Sequence, residues 1–202
     1  MKLAKLEQVL ADIVEQTCGL YIAQSEIDMI RMARGDWDNM DDAMFRSLRN
    51  YVRPGLSDDQ FRLWCKRHAT CFIDAASWME SMRTFDFVAG PRFHGVMLAM
   101  QAGTPGGVIA HDSRTLEMCE TMVIPVRMHD DMPASFAASD LPSLFEFEAA
   151  AYDCRRSELA NRYVDMLTAA GITPSVALQG LKRSESAAPV ASQRAPELAI
   201  AC

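Results

Sequence analysis

Between Phe87 and Arg114 the chain gathers ionisable groups directly behind short apolar stretches. Arg92 and His94 stand two residues apart, just after an apolar run that ends at Gly90-Pro91. His111, Asp112, Ser113 and Arg114 follow a second run, Val108 to Ala110. An arginine offers a planar fork of N–H donors that matches a carboxylate or a phosphate. A histidine carries an exchangeable proton near neutral pH. Residues that leave a strand and open a helix also meet free backbone N–H groups and the positive end of the helix dipole. The pattern predicts a site for a small anionic ligand with a histidine placed for proton transfer.

The elements that must position these residues follow from hydrophobic spacing. Leu3, Leu6, Val9, Leu10, Ile13 and Val14 recur at helical intervals, so residues 3–17 are expected to form an amphipathic helix. Strands are expected near 20–24, 70–73, 85–89, 107–110 and 122–124. Between them helices are expected over 27–34, around 42–50, over 57–68 (with Ser57 and Gln60 as a capping box), 75–82 and 115–121. Gly103, Gly106 and Gly107 read as turn chemistry, residues 125–142 as a long loop, and 152–170 as a helix with Leu159, Tyr163, Met166 and Leu167 on one face. Alternating strands and helices predict an α/β fold with a doubly wound, mostly parallel, Rossmann-like sheet, in which ligands bind at the carboxyl edge. The first periodic segment is a helix rather than a strand, which predicts a sheet whose first strand is missing or supplied from elsewhere. Residues 1–175 are assigned to this domain. Residues 176–202 are assigned to a disordered tail, because the segment from Lys182 onward carries too few apolar residues to order itself.

The totals narrow the function classes. The 202 residues carry a net charge of −7, which disfavours nucleic acid and anionic membranes as partners. No apolar run reaches the roughly 20 residues that span a bilayer. The N-terminal helix has acids within its apolar pattern and does not read as a signal peptide. The 6 cysteines show no CxxC spacing and read as reduced, mostly buried thiols of a cytoplasmic protein. The 14 methionines read as core fillers.

Three pieces in order carry a resemblance. They are Asp86 to Gly95 (DFVAGPRFHG), Ala99 to Pro105 (AMQAGTP) and Ala110 to Arg114 (AHDSR). Together they resemble the signature of the polysaccharide pyruvyl transferase family, over about residues 3–175. The resemblance implies the C-terminal, donor-binding domain of a two-domain GT-B-like protein. It implies transfer of a pyruvyl unit from phosphoenolpyruvate to a sugar or polysaccharide acceptor as a ketal, in exopolysaccharide biosynthesis, with no cofactor and no metal. On this basis Arg92 grips the donor, His94 is the catalytic acid that protonates the donor methylene, and Gly95 lets a helix N-terminus approach the anion. His111, Ser113 and Arg114 complete the substrate-binding set. The implied partners are phosphoenolpyruvate, the acceptor, and either a separate N-terminal domain or a second copy of the chain. The chain by itself is expected to be an incomplete enzyme.

The residues alone leave other readings open. His94 also suits a helix cap, Arg92 a surface pair with Asp86 or Glu80, and Asp112 and Ser113 the N-cap of the next helix. Gln24 and Glu26 lie behind a strand and qualify as site neighbours. His129-Asp130-Asp131 looks like a metal cluster, but consecutive residues rarely converge on one ion. A binding module that recognises a small anion without turnover, or a different GT-B glycosyltransferase, would share much of the pattern.

Overall fold

The computed structural model of the chain describes residues 2–24, 26–181 and 198–201. Helix α1 (Leu3–Gln16) turns Leu6, Val9, Leu10, Ile13 and Val14 inward, as its spacing requires. Strand β1 (Leu20–Ile22), helices α2 (Ile27–Arg34), α3 (Asp42–Val52) and α4 (Asp58–His68), and strand β2 (Ala69–Thr70) follow. The capping box at α4 is present, with the Ser57 side chain accepting from the Gln60 amide and the Gln60 side chain accepting from the Ser57 amide. Then come α5 (Ala75–Met82), β3 (Phe87–Gly90), α6 (Phe93–Ala102), β4 (Gly106–Ala110), α7 (Ser113–Met122) and β5 (Val126–Met128). Helices α8 (Leu141–Leu144), α9 (Ala149–Ala169) and α10 (Val176–Leu181) close the folded region, and Leu198–Ala201 forms β6.

The strands make one parallel sheet in the order β2-β1-β6-β3-β4-β5. Successive side chains alternate across it, as a strand dictates. Tyr21, Phe87, Ala89 and Ile109 enter one core with α1, α3 and α4, whereas Ile22, Val88 and Val108 enter a second core with Met82, Val96, Ala99 and Cys119. Helices therefore cover both faces, and the fold is the Rossmann-like α/β architecture expected. In the first core the Tyr21 hydroxyl donates to the buried Glu7 carboxylate, so this charge is not left without a partner.

Several local expectations are corrected. Strand β2 ends at Thr70, and Ile73 is 91% exposed. The last helix-linked strand is at 126–128 rather than 122–124, because α7 runs on through Met122 and Val123 caps it with φ 56°. Only then does the Pro125 carbonyl accept from the Val108 amide at 2.9 Å and start the ladder. The segment 125–142 thus holds β5 and two 3₁₀ turns rather than a plain loop. Gly106 and Gly107 are strand residues. A Cβ on Gly106 would lie 2.7 Å from the Val88 carbonyl oxygen, and one on Gly107 would lie 2.1 Å from Cγ of Phe145. Close approach explains these two glycines, while Gly103 is the left-handed helix cap expected at φ 94°. Helix α9 buries Ala160 and Val164 and leaves Tyr163 and Met166 exposed; it packs on α7 and α10, and its Tyr152 reaches the second core. Cys65 and Cys119 are buried, but Cys18 and Cys154 are exposed.

The largest difference is at the C-terminal end. Residues 176–181 form α10, and Leu198–Ala201 lies between β1 and β3, in the middle of the sheet. Composition hid this strand, since four apolar residues gain little alone and are ordered by two ready-made strand edges. The expected disorder of 182–197 falls outside the described residues. The expectation of a first strand missing or supplied from elsewhere did not foresee a strand from this chain's own C-terminal end.

Candidate functional site

Two helix starts build the site. Strand β3 delivers Pro91 and Arg92, and Arg92 is the N-cap residue of α6. Strand β4 delivers His111 and Asp112, and Asp112 is the N-cap residue of α7, its carboxylate accepting from the Thr115 amide at 2.7 Å. That hydrogen bond holds the Asp112 carboxyl below its ordinary pKa, with smaller help from His111 and Arg114. Both helix N-termini point their amide ends towards the same carboxyl edge of the sheet.

The two loops enclose a cavity of about 350 Å³ whose lining includes Arg92, His94, His111, Asp112 and Arg114. The sequence-predicted residues Arg92, His94, His111 and Arg114 are therefore brought together at one edge. Ser113 and Gly95 are not in the lining. The Gly95 amide donates to the Arg92 carbonyl at 3.2 Å, so it is occupied within the first turn of α6. The His94 ring meets Phe93 edge-on at 5.6 Å between centroids and is exposed.

Glu80 pairs with Arg83, whereas Arg92 pairs with Glu26. Its guanidinium donates to Glu26 at 2.9 Å, joining the loop behind β1 to the loop behind β3. The two side chains are 38% and 67% exposed. An exposed pair of this kind contributes only about 0–1 kcal/mol. A multiply charged ligand that takes a bidentate, charge-assisted hydrogen bond, about 1.5–3 kcal/mol, can displace it.

The same cavity collects unsatisfied polar atoms. Gln24 Nε2, Trp78 Nε1 and His111 Nδ1 are buried and have no hydrogen-bond partner among the described residues. All three residues line the cavity. Gln24 Nε2 and Trp78 Nε1 can only donate, so they want an acceptor. Buried polar groups left unpaired are rare and costly, and three at one place point to a ligand rich in oxygen acceptors. Gln24 stood among the possible neighbours, but Trp78, on α5, carried no signal in its local sequence.

A second cavity, about 300 Å³, adjoins the first and shares Pro91, Arg92 and His111 with it. Its other walls are apolar side chains with Glu7, Glu26 and Asp28. Those carboxylates disfavour an anion there. Among the described residues no group of three or more His, Cys, Asp or Glu side chains could hold a metal ion, and no helix is long and apolar enough to cross a membrane.

No curated protein and no solved structure matches the chain. The family model described as polysaccharide pyruvyl transferase matches residues 14–113. That stretch runs from α1 to the start of α7 and includes every strand end that feeds the basic cavity, with Arg92, His94 and His111. Residues 14–113 thus match the polysaccharide pyruvyl transferase family.

Proposed function

We propose that the basic cavity is the phosphoenolpyruvate site of a ketal pyruvyl transferase acting on a sugar or glycan, and that this chain is the donor half of the enzyme. The observation that carries the reading is the convergence in one cavity of Arg92, Arg114, His94 and His111 with the unsatisfied N–H groups of Gln24 and Trp78. Phosphoenolpyruvate is compact and carries about three negative charges near neutrality, so it needs both cations and neutral donors. Arg92 and Arg114 take its carboxylate and phosphate, and Gln24, Trp78 and His111 fill the remaining acceptor positions.

Exposed His94 gives its proton to the terminal methylene carbon, which becomes the methyl group. Positive charge then develops at the central carbon, where two acceptor hydroxyls form the two C–O bonds of the ketal. The C–O bond to phosphate breaks. Of the two hydroxyl protons, one replaces the proton lost by His94 and the other leaves on the phosphate. The reaction is a transfer without change of oxidation state and balances with no further reactant. The acceptor comes with a separate N-terminal domain or a second copy.

The test is to incubate the chain, together with such a domain, with phosphoenolpyruvate and a panel of glycan acceptors, and to look for ketal and released phosphate by mass spectrometry. Product that disappears in His94→Gln supports the reading. Undiminished product from His94→Gln rejects His94 as the acid. Binding without any product across the panel favours a recognition module instead.

A further inference from the structure

The arrangement of β6 has consequences for the site. Strand β6 follows β5 in sequence only after α8, α9 and α10 and residues 182–197, yet it lies at the centre of the sheet, between β1 and β3. Its register aligns Leu20, Tyr21 and Ile22 of β1 with Ala199, Ile200 and Ala201, and Phe87, Val88 and Ala89 of β3 with Leu198, Ala199 and Ile200. Tyr21, Ile22, Val88 and Ala89 are 0% exposed. With β6 withdrawn, the facing N–H and C=O groups of both strands would lose their partners in a gap one strand wide.

The exits of those two strands carry the site. Beyond Ile22 the chain reaches Gln24 and Glu26, and beyond Gly90 it reaches Arg92 and His94. The Arg92–Glu26 ion pair joins the two exits. The spacing of the two loops, and so the width of the cavity, is set by the strand between them, at about 4.8 Å per strand.

We propose that the gap between β1 and β3 is a strand-accepting slot for an extended parallel segment, that its occupant is this chain's own Leu198–Ala201, and that seating this segment assembles the anion cavity. Because the segment belongs to the same chain, its effective concentration at the slot is high. The basic cavity thus depends on whether Leu198–Ala201 is seated. The link to the anion rests on the functional reading above, whereas the slot itself does not.

The experiment is complementation. A chain ending at Leu181 should melt more than about 10 °C below the full chain. It should also lose the quenching of Trp78 emission by phosphoenolpyruvate or inorganic phosphate. A peptide of residues 194–202 added at millimolar concentration should restore both, and the same peptide carrying Ile200→Pro should restore neither, because proline cannot donate to a central ladder. If the shortened chain does not fold, Ile200→Pro in the full chain serves: hydrogen exchange should rise selectively at Tyr21, Ile22, Val88 and Ala89, and Ile200→Val should leave it unchanged. An unchanged melting temperature in the shortened chain, equal rescue by both peptides, or a dimer that vanishes on shortening would overturn the proposal. Rescue of melting in a protein whose full-length form never binds the anion would refute the functional reading and leave the slot standing.

Discussion

The proposed function gives the guanidinium of Arg92 and the imidazole of His94 separable tasks, and substitutions should separate them. Arg92→Lys keeps the charge and loses the fork, so anion affinity should fall about tenfold while melting changes little, because the Glu26 pair it disturbs is exposed. His94→Gln should leave affinity within about threefold and remove turnover in the assembled enzyme. Titrations of both variants beside a melting curve check the division; equal loss of binding in the two would contradict it. Asp112 has a structural task as the cap of α7. Its carboxyl pKa is lowered in the folded state, so its contribution is present above the unfolded value and lost as pH falls through the folded one. Asp112→Ala should therefore lower the melting temperature at pH 7 and have a smaller effect at pH 3. The residues behind the strands were legible because strand, turn and helix start lie within a few positions of one another. Trp78 was not, because only the packing of α5 on α6 brings it to a cavity whose ionic groups lie on other elements.

Elements were legible where a periodic pattern met clear punctuation. The capping box at Ser57 fixed α4 closely. Boundaries failed where tertiary contact decided. Gly106 and Gly107 look like a turn, yet they let β4 pass under Val88 and Phe145. Gly107→Ala should cost about 1–3 kcal/mol through overpacking against Phe145, and the added cost should shrink in a Phe145→Ala background; additive effects in a denaturant cycle would contradict the contact. Burial also grades the thiols. Cys65 and Cys119 are pushed up to about 12 by burial. Alkylation of the native protein near pH 8 should label Cys18 and Cys154 and spare these two until unfolding. Early labelling of Cys65 or Cys119 would show that the cores open locally.

For the whole molecule, alternation of strand and helix predicted the parallel sheet with helices on both faces. It also left a first strand missing or supplied from elsewhere, because the first periodic segment is a helix. It could not show which segment fills the place, since the pairing of Leu198–Ala201 with β1 and β3 is non-local and a four-residue strand has no period to recognise. A net charge of −7 likewise says nothing of the basic cavity, which is made from a few groups that only the fold assembles. The reading of that cavity stands or falls on one calorimetric titration of phosphoenolpyruvate into the full chain and into Arg92→Ala. Saturable binding near millimolar strength, about 4 kcal/mol, weakened at least tenfold in the variant, is the expected result. No binding to the full chain, or equal affinity in the two proteins, would contradict an anion site built on Arg92.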